Sequence, residues 1–148
     1  MKLFQWLSDV FWPQGMACLC CDELIDGGVL CPDCEAALAA MRMKEHEQGS
    51  VRSAYHYDGV AKRLVIMLKL ECAAAAADVL AEAMAEEIRG MELPENTLLT
   101  WVTMPKRRFR ERGIDHGRTL CEAVSRRCGL EVRQLLARQG RFRTQRGL

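Results

Sequence analysis

The sequence predicts an α/β fold with a parallel sheet, preceded by a small zinc module organised by cysteines. Three observations predict it. An apolar run at 98–104, LLTWVTM, has the length of a strand buried on both faces and ends at Pro105. A basic segment and an amphipathic helix follow, so strand, loop and helix form the front half of a βα unit. Upstream, five of the eight cysteines fall within residues 18–34, four of them in two C-x-x-C pairs.

Each element has its own signal. Leu3, Phe4, Leu7, Val10 and Phe11 lie near one helical face, and Pro13-Gln14-Gly15 stops the pattern, which predicts an amphipathic helix within 1–15. The cysteine module occupies 16–40, and an α/β domain 50–148. Residues 51–57 have strand composition, with Val51, Ser53, Tyr55 and Tyr57 on one side and Asp58-Gly59 as the turn after them. Residues 60–70 read as a helix. The alanine-rich stretch from Ala73, with Val79, Leu80, Met84 and Ile88, predicts a second helix bracketed by Gly90 and Pro94. KRRFRERG, 106–113, is expected as a polar loop before a helix over 115–128, whose Leu120, Val124 and Cys128 face inward and which Gly129 stops. No internal repeat is present.

Composition excludes several classes. With 49% hydrophobic and 28% charged residues in 148, the chain is neither disordered nor low-complexity, and it is sized for one domain or a small module joined to a modest core. Charged residues interrupt every apolar run well short of the ~18 residues of a membrane span, so no membrane association is expected. The N-terminus has one basic residue among its first twelve, and Gln5 and Asp9 break its apolar stretch. It makes a poor export signal, which predicts a cytoplasmic, reduced protein. The net charge of +1 hides a split: residues 1–100 carry eight Lys and Arg against sixteen Asp and Glu, and 101–148 carry thirteen against four. A basic final third suggests a face for phosphate, on a small ligand or a nucleic acid, or simple neutralisation of the acidic half.

Cys18 and Cys21, then Cys31 and Cys34, have the spacing of two zinc knuckles. Four soft thiolates complete a tetrahedral Zn²⁺ site with no open position, so the metal expected is structural. Residues 16–38 are too few to bury a core of their own, and metal binding supplies their folding energy. A redox pair or buried thiols are the alternatives, and Cys20 is an alternative ligand to Cys18 or Cys21. Cys72, Cys121 and Cys128 lack paired spacing and are expected as small core hydrophobes.

The segment KRRFRERGIDHGRT supplies an anion-binding pattern. Backbone N–H groups at a helix start favour negative charge, Arg112 can grip two phosphate oxygens, and Gly113 permits close backbone approach. The candidate anion-binding residues are Lys106, Arg107, Arg112, Gly113, Asp115 and His116. His116 is open to reading as a general base, a phosphate donor or a capping residue. Lys106, Arg107, Arg108, Arg110 and Arg112, with Phe109 for stacking, equally suit a nucleic-acid backbone.

Taken in order, the cysteine module, YHYDGVAKRLVIMLKL, MPKRRFRERGIDHGRTLCEAV and the closing RQGRFRTQRGL resemble the N-terminal part of the ComF family, phosphoribosyltransferase-like proteins linked to competence and DNA uptake. The third segment is the most specific, matching approximately P-x-P, a basic loop, then R-G-F-N-Q and a helix. It departs from that pattern at Thr103 and at Asp115-His116. The resemblance implies that 104–119 form the pyrophosphate-side loop of a type I phosphoribosyltransferase fold, with Arg112-Gly113 as its R-G, and that Lys69 is the family's lysine after the first helix. It implies phosphoribosyl pyrophosphate as ligand, Mg²⁺ where transfer occurs, and DNA or the uptake machinery as partner. The family's later segment, D-D-x-x-T-T-G-x-T, which holds the ribose phosphate, has no counterpart in these 148 residues. The expectation is therefore an incomplete phosphoribosyltransferase-like domain, truncated or frame-shifted and catalytically incomplete, with a zinc-containing nucleic-acid or protein-binding module as the alternative.

Overall fold

A computed structural model describes residues 17–43, 51–71 and 73–137. The expected helix within 1–15, the closing RQGRFRTQRGL and Cys72 lie outside the described residues.

Five α-helices and a two-stranded parallel sheet are present among them. The cysteine module opens with a tight turn in which Ala17 bridges Leu24 and the Cys18 N–H bonds the Glu23 carbonyl at 2.7 Å. Helix α1, Pro32–Ala40, begins with proline in its first turn, where the missing N–H costs nothing, and Cys31 caps it, its sulfur accepting from the Cys34 N–H at 3.5 Å. Helix α2, Gly59–Ile66, is capped by the Asp58 carboxylate, which accepts from the Gly59 N–H at 2.8 Å. Gly59 has φ +42°, a left-handed conformation that strains other residues, so glycine suits the start of α2; the Met41 methyl that a Cβ there would meet is the far end of a flexible side chain.

The expected helix over 60–70 continues α2 as a π-helical turn, Met67–Glu71, which buries Met67 and Leu68 and leaves Lys69 exposed. Helix α3, Ala74–Arg89, buries Ala76, Ala77, Leu80, Ala81, Ala83 and Ala85 and packs most extensively on α5, His116–Cys128. Ala123 and Val124 of α5 are fully or nearly buried opposite, so small side chains let the two axes approach closely. Arg127, on α5, bonds Glu82 at 2.8 Å and Asp78 at 3.3 Å along the edge of this contact.

Between them lie strand β1, Leu98–Leu99, and helix α4, Lys106–Arg112; strand β2, Glu131–Val132, follows α5. The strands pair in parallel, Leu98 opposite Glu131 and Leu99 opposite Val132, which completes a β–α–α–β crossover. Cys18, Leu30, Cys31 and Leu38 of the cysteine module belong to the same buried cluster as Ala61, Leu64, Leu80 and Val124. Cys121 is buried and Cys128 packs against that cluster, as small core hydrophobes do.

Three sequence expectations are corrected. Residues 51–57 are not a strand: Tyr55 makes a single antiparallel bridge to Arg42, because only the short stretch after α1 is there to pair with it. The strand expected over 98–104 is confined to Leu98–Leu99, and Val102 is 73% exposed. β2 departs after two residues, so the rest of the apolar run has no sheet to bury it. The segment expected as a polar loop is helix α4: its Lys, Arg and Glu are good helix formers, and Arg107 pairs with Glu111 one turn on at 2.8 Å.

Candidate functional site

Two groups of side chains carry chemistry. In the first, the sulfurs of Cys18, Cys21, Cys31 and Cys34 all lie within 4.8 Å of one another. Cys18 and Cys21 come from the turn before α1, and Cys31 and Cys34 from the cap and first turn of α1. The Cys21 and Cys31 sulfurs are 3.6 Å apart. Metal–sulfur bonds of about 2.3 Å in a tetrahedron place sulfurs about 3.8 Å apart, so this donor set fits one four-coordinate metal ion. Cys20, the alternative ligand on spacing alone, is not in the group.

The protonation pattern suits a cation. Burial opposes ionisation of Cys18, but hydrogen bonds from the backbone of Cys31, Cys20 and Cys21 outweigh it and bring the thiol down to about 6. Cys34 is pushed up, first by burial and then by the sulfurs of Cys31, Cys18 and Cys21. One thiolate is accommodated without a metal, and a second is opposed until a positive ion compensates it. Cys20, pushed to about 11 by burial and then by the charge of Cys18, stays protonated.

The second group surrounds the start of α5. Asp115 caps that helix, its Oδ1 accepting from the N–H of Gly117 at 3.1 Å and of Arg118 at 3.4 Å. Its Oδ2 accepts from the Trp101 indole N–H at 3.2 Å and the Met104 N–H at 3.4 Å. This corrects the expectation of unpaired N–H groups at the helix start: those of Gly117 and Arg118 are already taken by a carboxylate. Asp115 is thus a cap that ties the end of the β1 segment to α5.

Lys106, Arg107, Arg108 and Arg110 are exposed along α4, with Phe109 48% exposed among them. Arg112 is half-buried at the end of α4. Gly113 has φ +76°, a left-handed conformation that glycine adopts without penalty, and it turns the chain from α4 into α5. His116, in the first turn of α5, has its Nδ1 buried with no hydrogen-bond partner among the described residues. Burial holds its imidazole below the ordinary value of 6.5, the charge of Arg112 adds to this, and those of Lys69 and Arg108 add further against the opposing Asp115 carboxylate. The neutral ring therefore sits in a positive environment contributed by α4 and the π-helical turn.

Lys69 and Arg108 were absent from the anion set expected from 104–119, and Trp101 was unforeseen as an anchor for Asp115. The lysine's place after the first helix was its only sequence signal. Among the described residues no helix is long and apolar enough to cross a membrane.

No family model, curated protein or solved structure matches the chain.

Proposed function

We propose that this chain is a phosphoribosyltransferase-like protein of the ComF type that binds a phosphate-bearing ligand beside His116 and is braced by a structural Zn²⁺ on Cys18, Cys21, Cys31 and Cys34. The observation that carries the anion reading is the charge around His116. Arg112, Lys69 and Arg108 all oppose its protonation, and its Nδ1 is buried without a partner among the described residues. A phosphate oxygen brought there would offset those positive charges and provide an acceptor once the ring is protonated. Phosphoribosyl pyrophosphate, with Mg²⁺, is the ligand to which this reading commits. The assignment made to these residues is binding of that ligand beside His116.

Thermal unfolding with millimolar phosphoribosyl pyrophosphate, with and without Mg²⁺, tests the reading. A rise in Tm that Arg112→Ala abolishes supports it, and an unmoved Tm overturns it. A second reading, contact with a nucleic-acid backbone, is favoured by α4 itself. Lys106, Arg107, Arg108 and Arg110 are exposed on one short helix around a half-exposed Phe109. Steeply salt-dependent DNA binding lost in the alanine variants of Arg107, Arg108 and Arg110 would establish it, and salt-insensitive or undetectable binding would exclude it.

A further inference from the structure

A cavity of about 370 Å³ lies between residues 52–57 and helices α2, α3 and α5, and its lining includes none of the residues of the two groups described above. Val65, Met84, Ile88 and Leu120 line it, with Tyr55 and Tyr57 on the wall, so its surface suits an apolar occupant. We propose that residues 3–11 of this same chain occupy it, with Leu3, Phe4, Leu7, Val10 and Phe11 as the buried stripe.

Three arguments select that occupant. Spacing places those five side chains within one face about 120° wide at 100° per residue, the width of an apolar stripe that a helix buries. The other undescribed segments lack such a stripe: 44–50 is KEHEQGS, and 138–148 holds Phe142 and Leu148 among four arginines. The segment also reaches. It joins the structure at Ala17, beside the cysteine cluster at the start of α1, while Arg42, just beyond the end of α1, is bridged to Tyr55 on the cavity wall. The nine residues of α1 span about 13.5 Å. The linker from Phe11 to Ala17 covers up to about 20 Å when extended. Leu24, paired with Ala17 where the segment joins, is 79% exposed, and Tyr57 is 64% exposed.

Photo-cross-linking of the full metal-loaded chain tests the assignment, with p-benzoylphenylalanine in place of Phe4 and a mixture of ¹⁴N and ¹⁵N protein to separate contacts within a chain from contacts between chains. The expected product joins Phe4, within one chain, to the peptide carrying Tyr55 and Tyr57 or the one carrying Met84 and Ile88. Leu7→Asp is expected to lower its yield about tenfold, because an unpaired carboxylate opposes burial. Unchanged metal content in that variant confirms that the rest of the chain is folded. Cross-links only between chains, cross-links to other peptides, or no product in the metal-loaded protein would each overturn the proposal.

Discussion

The indole N–H of Trp101 donates to the Asp115 carboxylate at 3.2 Å, so a residue just past β1 is fastened to the N-cap of α5. The same carboxylate holds the Met104 N–H and two N–H groups of the helix start. One side chain thereby fixes the path from the sheet to the segment that carries Arg112 and His116.

Asp115→Ala is expected to cost about 1–2 kcal/mol, the value of a lost cap with further bonds released. The corresponding fall in Tm is about 2–8 °C at this chain length. Calorimetry checks it, and Trp101→Phe should reproduce a smaller part of the loss. Equal stability of Asp115→Ala and the parent would contradict the role given to the carboxylate.

His116 makes the fold sensitive to mild acid. Its folded-state value lies below the ordinary 6.5, so as pH falls through 6.5 the unfolded chain takes up the proton first. Stability is therefore complete above 6.5 and declines below it, until the folded form also titrates. An NMR titration of the imidazole should report a value below 6.5, and pyrophosphate should raise it by neutralising the charge of Arg112, Lys69 and Arg108. A His116 value at or above 6.5 without ligand would be incompatible with this environment.

The proposed zinc site is tested by content and colour. The parent should carry one zinc per chain, and its cobalt form should show the charge-transfer absorption of four thiolates. Cys31→Ser should lose the metal and unfold the module, since Cys31 is both a cluster sulfur and the cap of α1. Cys20→Ser, outside the cluster, should keep the full complement.

The contact between α3 and α5 depends on small side chains and on one half-buried arginine. Ala81 is fully buried in the core, and Ala81→Leu should cost about 1–3 kcal/mol through overpacking, measurable by denaturant titration. Arg127→Ala should cost about 1–2 kcal/mol, because its guanidinium bonds Glu82, Asp78 and the Ala123 carbonyl together. The more exposed Arg126 should matter within about 0.5 kcal/mol. Burial works against ionisation of Asp78, yet the hydrogen bonds from Arg126 and Arg127 lower its value below the ordinary 3.8. Its contribution is present above that pH and is lost as pH falls further.

Local chemistry was readable in the chain itself. C-x-x-C spacing brings two sulfurs together within a single turn, so the four-cysteine group could be anticipated before any fold was known. Asp58 and Asp115 mark helix starts, and Gly129 an end, because capping concerns a few neighbouring residues. The apolar spacing of α3 and α5 followed from the period of the helix, and the parallel sheet from a strand followed by a helix.

What depended on distant neighbours was not readable. LLTWVTM has the composition of a doubly buried strand, yet it pairs over two residues, because a strand lasts only as long as the partner beside it. KRRFRERG, expected as a loop, forms a helix. His116 draws its positive surroundings from Lys69 as well as from α4, and the chain brings Lys69 there from 47 positions upstream through a π-helical turn. The cavity among 52–57, α2, α3 and α5 likewise has no sequence signal, because it exists only as the space left between segments that pack from far apart.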